Sequence, residues 1–149
     1  MSGLKIYWFG RKSADPMLDS ASTFIKRLQK SAPVELIRLK ESNPSKEADD
    51  LLAKLPDQTR LIALDEHGEI LTTMAMYDKV RSWRLEGHFN ATSFVIGGAN
   101  GLDERVKSRA KELWRLSSLT LPHRFALALL CEQLYRVDQI RLGGPYHRA

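Results

Sequence analysis

"SFVIGGANGLDERV", Ser93 to Val106, decides how this chain is read. An apolar, strand-like stretch from Thr92 to Ile96 runs into Gly97, Gly98 and Gly101, and then into a charged stretch with helical character. Asp103 is placed to cap a helix over roughly Glu104 to Lys111. A glycine loop between a strand and a helix is a common place to hold phosphates. This loop lacks the Gly-Lys-Ser/Thr ending of a P-loop, so it offers no lysine for a terminal phosphate and no hydroxyl for magnesium. Its spacing also departs from G-x-G-x-x-G, and it follows the fourth strand rather than the first. Two readings stay open: a ligand at the carboxyl end of a strand, where α/β sheets bind ligands, or a tight turn that binds nothing.

Working outward, strands and helices alternate. Leu4 to Phe9 reads as a buried strand ending at Gly10, and Asp19 to Lys30 as a helix with Phe24, Ile25 and Leu28 on one face. Val34 to Leu39 alternates like a strand, and a short helix is expected over Glu47 to Leu55 after the Asn43-Pro44-Ser45 break. Arg60 to Leu64 is a third strand, closed by a turn at Asp65-Glu66-His67-Gly68. A helix follows from Thr72 to Leu85, stopped by Gly87. Beyond the glycine loop, a short stretch from Leu113 to Leu119 precedes a long helix from Pro122 to about Leu142, with proline in the first turn and Gly143-Gly144 to end it. This order implies an α/β fold, a mostly parallel sheet flanked by helices, in one domain over residues 1–149. Phe125 to Cys131 is apolar all round the helix, so it belongs either to the centre of the core or to a subunit interface, and a homodimer is the expectation.

Composition narrows the class of protein. With 43% hydrophobic and 28% charged residues the chain has ordinary globular balance. No run approaches the roughly 20 apolar residues of a membrane helix, and the N-terminus lacks a signal-peptide layout, so no membrane partner is expected. One cysteine, Cys131, rules out an internal disulfide and fits a reducing cytoplasm. The net charge of +5 points to an anionic partner such as nucleic acid. At the other end of the chain, Tyr146-His147-Arg148 combines a hydroxyl, a group that titrates near neutrality and a permanent cation. It reads either as a reactive cluster or as a frayed tail.

The loop, the stretch "RLSSLTLPH" (Arg115 to His123) and the terminal "PYHR" (Pro145 to Arg148) together resemble one family. They look like the small bacterial pseudouridine methyltransferases of 23S ribosomal RNA, in the SPOUT class of knotted methyltransferases. The likeness spans the chain, taking in "FGRK" and "IALDEHG", and is densest from Phe94 to Arg148. It implies a C-terminal deep trefoil knot, which neither periodicity nor spacing points to and the general rules disfavour. It implies S-adenosylmethionine as cofactor, held by Leu64, Gly97, Leu116, Ser117, Ser118, Leu119, Thr120 and Leu121, with no metal. It further implies a homodimer acting on 23S rRNA in the assembled ribosome, with no DNA partner, and methylation at N3 of a pseudouridine. A sulfonium ligand without phosphate explains why both phosphate patterns fail.

The imide nitrogen of a pseudouridine keeps its proton near neutral pH, so its methylation needs a proton acceptor or an anion stabiliser. His147 is the candidate base or proton shuttle, Arg148 the candidate for steadying developing charge or RNA backbone, and Tyr146 the candidate for placing the base. His123 is expected to help cap the long helix, with a contact near the cofactor as the alternative. Lys26, Arg27, Lys30, Arg81, Arg84, Arg105 and Arg109 are expected on solvated helix faces, some of them along an RNA track. One position departs from the family pattern: Leu127 stands where an arginine is usual, four residues after the histidine of the "PH" pair. Rival readings are a SPOUT methyltransferase for another RNA position, a non-catalytic RNA-binding module, and a nucleotide-dependent oxidoreductase.

Overall fold

Every residue of Leu4–Gly10 (β1) except Lys5 is buried, as a strand covered on both faces requires. The structure, a computed structural model, describes residues 3–148. After β1 come Pro16–Leu28 (α1), Val34–Lys40 (β2), Pro44–Lys54 (α2), Arg60–Ile70 (β3) and Thr73–Leu85 (α3). A single 3-10 turn at Phe89–Ala91 leads into Thr92–Ile96 (β4), followed by Glu104–Arg109 (α4), Glu112–Arg115 (β5) and His123–Leu142 (α5). The strand order is β2-β1-β4-β3-β5, and all four neighbouring pairs run parallel. An α/β fold with helices flanking a parallel sheet is therefore what forms.

Alternation along the strands sorts the core into two layers. Ile6, Trp8, Ile62 and Phe94 face α1, α3 and α5, and Tyr7, Phe9, Leu61 and Val95 face α2 and α4. On the first side Trp114 stacks on Trp83 at 5.6 Å and meets Phe94 edge-on at 5.2 Å, which fixes β5 against α3. The apolar stretch of α5 lies mostly in this layer: Leu127, Leu130 and Cys131 are wholly buried. Its apolarity is thus largely explained by the chain's own core, and Phe125, 48% exposed, is the part left over. Burial pushes the Cys131 thiol up to about 12, which makes it a packing residue.

Several expected boundaries move, each for a local reason. α1 begins at Pro16, three residues before the expected Asp19, because Asp15 accepts from the Met17 N–H at 2.8 Å and Pro16 fits the first turn. α2 likewise begins at Pro44 rather than Glu47, with the Asn43 side chain capping Lys46 N–H at 2.9 Å. The Asp65–Gly68 turn does not end β3. The strand continues to Ile70, and a bulge lets both Leu64 and Glu69 stand opposite Trp114 of β5. Gly68 permits this, since a Cβ there would lie 2.6 Å from the Leu113 carbonyl carbon. The stretch Leu113 to Leu119 supplies the short fifth strand, and Pro122 sits at the N-cap of α5 rather than inside its first turn.

Candidate active site

Register across the sheet brings the sequence-derived cofactor residues together. Leu64 pairs with Ile96 of β4 on one side and with Trp114 of β5 on the other, so the three lie in one row, strands about 4.8 Å apart. Gly97 follows Ile96 directly, and Leu116 stands two residues beyond Trp114. Leu64 and Leu116 both pack against the α1/α3/α5 layer. The bulge of β3 and the loops that follow β4 and β5 thus begin side by side at the carboxyl edge, where parallel sheets present ligand sites.

The glycine loop is a closed turn. Gly101 N–H donates to the Gly98 carbonyl at 3.0 Å, and Gly101 has a φ of +79°, which a side chain would strain. Gly97 is needed for a different reason: a Cβ there would meet the Gly101 carbonyl carbon at 2.9 Å and the Leu102 side chain at 3.0 Å. Two carboxylates bracket the turn. Asp103 occupies the start of α4, accepting from Arg105 N–H at 2.8 Å, and that backbone bond leads the causes holding its carboxyl below the ordinary range. Glu47, only 4% exposed, accepts from Ser42 N–H at 2.9 Å and lies alongside Gly98, where a Cβ would sit 3.3 Å from its Oε2. Burial raises its carboxyl above the usual range. Asp103 is paired with Arg105 Nε at 3.2 Å, so Glu47 is the carboxylate that bears on the turn.

The run after β5 is held by its own backbone. Arg115 donates from Nε to the Ser117 carbonyl at 2.8 Å and from Nη2 to the Ser118 carbonyl at 3.0 Å, while Ser117 Oγ accepts from Leu119 N–H at 2.9 Å. Leu116, Ser117 and Leu121 are half-buried, whereas Ser118, Leu119 and Thr120 face outward, Leu119 at 73% exposure. Arg115 was missed as a loop-former from sequence; its signal is a long cation just before a run of small residues. Beside Leu116 opens a cavity of about 200 Å³, lined also by Leu71, Thr72, Thr73, Met76, Leu129 and Gln133. An apolar cavity of about 40 Å³ lies elsewhere, between Leu4, Phe89 and Val137.

At the start of α5 the expected cap is absent. His123 makes no capping hydrogen bond, and its Nε2 is buried without a partner. Burial, with Arg124 adding to it, pulls this imidazole below its ordinary value. Arg124 instead ties α5 to the loop before α1, bonding Asp15 and Ser13 at 2.9 Å each. Leu127, at the departed arginine position, is wholly buried, so no cation fits there. Three arginines expected on solvated faces are engaged. Arg105 reaches Asp49 at 2.7 Å, Arg109 reaches the Thr59 carbonyl at 2.8 Å, and Arg84 lies against Phe89 and Asp138.

The terminal cluster is not frayed up to His147. Tyr146 donates to Glu132 Oε2 at 2.7 Å, and its ring meets Tyr135 edge-on at 4.8 Å and Arg136 at 4.7 Å. Arg136 clasps the same Glu132 at 2.7 Å and reaches His147 Nδ1 at 3.3 Å. A guanidinium only donates, so neutral His147 in this pose accepts at Nδ1 and carries its proton on Nε2. Glu132 feels burial pushing its carboxyl up, but bonds from Arg136, Tyr146 and Gln133 outweigh it and hold the group below its ordinary value. Arg148 is exposed. Among the described residues, no hydrogen bond, ion pair or ring contact joins the tail directly to Gly97 or to Leu116–Leu121.

Comparison with known proteins adds to this geometry. The model of the family described as predicted SPOUT methyltransferase matches residues 3–147. A protein of Polynucleobacter asymbioticus named ribosomal RNA large subunit methyltransferase H is 44% identical over 146 residues, covering 97% of this chain and 98% of that one. Among solved structures, a probable methyltransferase from Bordetella pertussis Tohama I superposes with a TM-score of 0.58 at 13% identity, covering 91% of this chain and 94% of the other. The SpoU methyltransferase AviRb from Streptomyces viridochromogenes, solved in complex with AdoMet, gives 0.50 at 13% identity over 96% of this chain and 62% of its own. Among the described residues no helix is long and apolar enough to cross a membrane.

Proposed function

The chain belongs to the SPOUT methyltransferase family, and from that premise we propose that it methylates N3 of a pseudouridine in a 23S rRNA hairpin, using S-adenosylmethionine. The observation that carries the cofactor reading is the row Ile96–Leu64–Trp114, where the β3 bulge and the loops after β4 and β5 start side by side, with buried Glu47 against the glycine turn. The residues suit the molecule. Leu64, Leu116 and Leu121 offer apolar surface to an adenine, Ser117, Ser118, Leu119 and Thr120 offer backbone and hydroxyl groups to its polar edges, and Gly97 lets the chain approach closely. Glu47, buried against Gly98, favours a positively charged ligand at the turn over a phosphate. When bound, S-adenosylmethionine supplies an electrophilic methyl group on a sulfonium.

The protein's own groups place the acceptor and manage its proton. The N3–H bond must break as the N–CH3 bond forms, and the proton leaves to a base. In the seated tail, His147 presents a protonated Nε2, suited to donating toward a carbonyl oxygen of the imide as charge develops there. Serving as the base requires His147 to leave Arg136. Arg148, exposed at the tail's end, is free to meet RNA phosphate or the forming anion. Tyr146 holds the tail to α5 and thereby sets where the base is placed.

The protein acts as a homodimer on the assembled ribosome, in the cytoplasm; Phe125 and Leu119, exposed apolar side chains beside the site, support a covering subunit. The deep trefoil knot is supported by β5 lying outside β3 while α5 returns to pack on α1 and α3. Transfer of radiolabelled methyl to ribosomes from a strain lacking this gene tests the whole reading, run beside ribosomes that also lack the hairpin pseudouridines. Label in the first sample alone, mapped to a pseudouridine, is the expected result. Label in both would keep the methyltransferase and overturn the pseudouridine. Label in neither would remove ribosomal RNA as the substrate.

A further inference from the structure

A continuous hydrogen-bonded path runs from the cavity beside Leu116 to the tail. Thr73 Oγ1 donates to Gln133 Oε1 at 2.6 Å, and Gln133 Nε2 donates to Glu132 Oε1 at 2.6 Å. The other oxygen of Glu132 accepts from Tyr146 and Arg136, and Arg136 donates to His147 Nδ1. Thr73 and Gln133 both line the cavity, so its wall and the tail's anchor are one bond apart. The amide has a single workable orientation: a carboxylate only accepts, which forces Nε2 toward Glu132 and leaves Oε1 for the Thr73 hydroxyl.

We propose that Gln133 is a positioning residue that couples occupation of the cavity beside Leu116 to the seating of Tyr146 and His147. The proposal rests on the reading that this cavity belongs to the cofactor site. α3 starts at Thr73 and α5 carries Gln133, so a ligand seated between Leu116 and the start of α3 fixes the Thr73 hydroxyl. A fixed hydroxyl fixes the Gln133 amide, and the amide aligns the carboxylate on which the tail hangs. Loss of the amide leaves Glu132 with Arg136 and Tyr146, able to turn away from the cavity wall. Side chains that act through such a chain of hydrogen bonds affect the rate through geometry, and a misplacement of about 1 Å at the reacting group costs roughly a hundredfold.

Two substitutions reach the path from opposite sides. Gln133→Met keeps volume and helix propensity and removes both bonds, and Thr73→Val keeps shape and removes the hydroxyl. The probe is S-adenosylhomocysteine, with hydrogen exchange read at the amides of Tyr146 and His147. In the unaltered protein it should slow exchange of those amides. In either variant, read at saturating S-adenosylhomocysteine, the slowing should vanish, and kcat should fall about tenfold with KM for ribosomes little changed. The double variant should be no worse than Gln133→Met alone, since one path can be cut only once. Unchanged kcat in Gln133→Met, or bound S-adenosylhomocysteine without any slowing in the unaltered protein, would overturn the coupling while leaving the cofactor site standing. No saturable binding to the unaltered protein would overturn the cofactor reading and the coupling with it.

Discussion

Two carboxylates on α5, Glu132 and Asp138, sit six residues apart and share a chemistry, yet they hold different elements. Each accepts from arginine and from a hydroxyl. Glu132 is held by Arg136 and Tyr146, with side chains 17% and 25% exposed for the acid and the arginine. Asp138 is 3% exposed and takes Arg84, Arg141 and the Ser31 hydroxyl, drawing α1, α3 and α5 into one knot of charge. Arg84 is the costly member. It lies 3.8 Å from the Phe89 ring with its Nε buried and unpartnered. Burial, with Arg141 beside it, pulls its guanidinium below the ordinary value against the pull of Asp138. The same kind of ion cluster thus fastens helices where water is excluded and seats the tail on α5 where water reaches it. Burial decides which, because a stranded charge is expensive only where nothing can solvate it.

That contrast can be broken most sharply at Asp138. Asp138→Ala strands Arg84 and should cost about 3 kcal/mol of folding stability, read from the urea midpoint. Binding of S-adenosylhomocysteine by the folded fraction should be unchanged, and a stability loss under about 1 kcal/mol would mean the cluster fastens nothing. Glu132→Gln should do the reverse. Methyl transfer should fall about thirtyfold, near 2 kcal/mol in the barrier, because the tail loses its anchor. Stability should move by less than about 1 kcal/mol, since Arg136 can turn to water. Equal effects of the two substitutions on stability would erase the distinction.

Acid provides a gentler cut at the same place. The bonds to Glu132 favour its ionised form, so its folded value lies below the unfolded one, near 4.3 for a free glutamate. Their contribution is therefore complete above the unfolded value and fades as pH falls through the lower folded one. The amide resonance of Tyr146 should shift in acid as Glu132 takes up its proton, and Glu132→Gln should abolish that shift. An acid shift that survives Glu132→Gln would point to a different anchor. Smallest of all, Tyr146→Phe keeps the ring against Tyr135 and Arg136 and removes one hydroxyl bond. It should lower turnover about threefold, a fraction of a kcal/mol to about 1.

The parts of this molecule that announce themselves in sequence are those whose cause is local. Thr92–Ile96 is a strand at its expected residues, and Asp103 caps the helix it precedes, because apolar runs and capping side chains act on their immediate neighbours. The continuation of β3 through Asp65–Gly68 is not local. It depends on β5 offering a backbone close enough that only glycine fits at Gly68, and four acid- and turn-prone residues by themselves read as a loop. At the site, the family likeness pointed to Leu64, Gly97 and the run after β5, and the parallel register sets Leu64 beside Ile96 and Trp114, the residues that lead into the other two segments. Glu132, Gln133 and Arg136 went unread. They look like the wet face of a helix, and the one hint is the Glu-to-Arg spacing of four, common on helices that bind nothing. Glu47 was hidden similarly: a glutamate in a charged helix gives no sign that Gly98 will cover it.

The position of β4 has a consequence for how the chain comes into being. Its slot lies between β1 and β3, both of which leave the ribosome earlier. Until Thr92–Ile96 emerges, β1 has only β2 for a neighbour and β3 has none, so two long apolar edges stand open during synthesis. The sheet closes late and through contacts distant in sequence, which slows folding and lengthens the interval in which those edges seek other partners. A nascent chain released short of Thr92 should be insoluble or chaperone-bound, and one extended past β5 should be the first to resist protease.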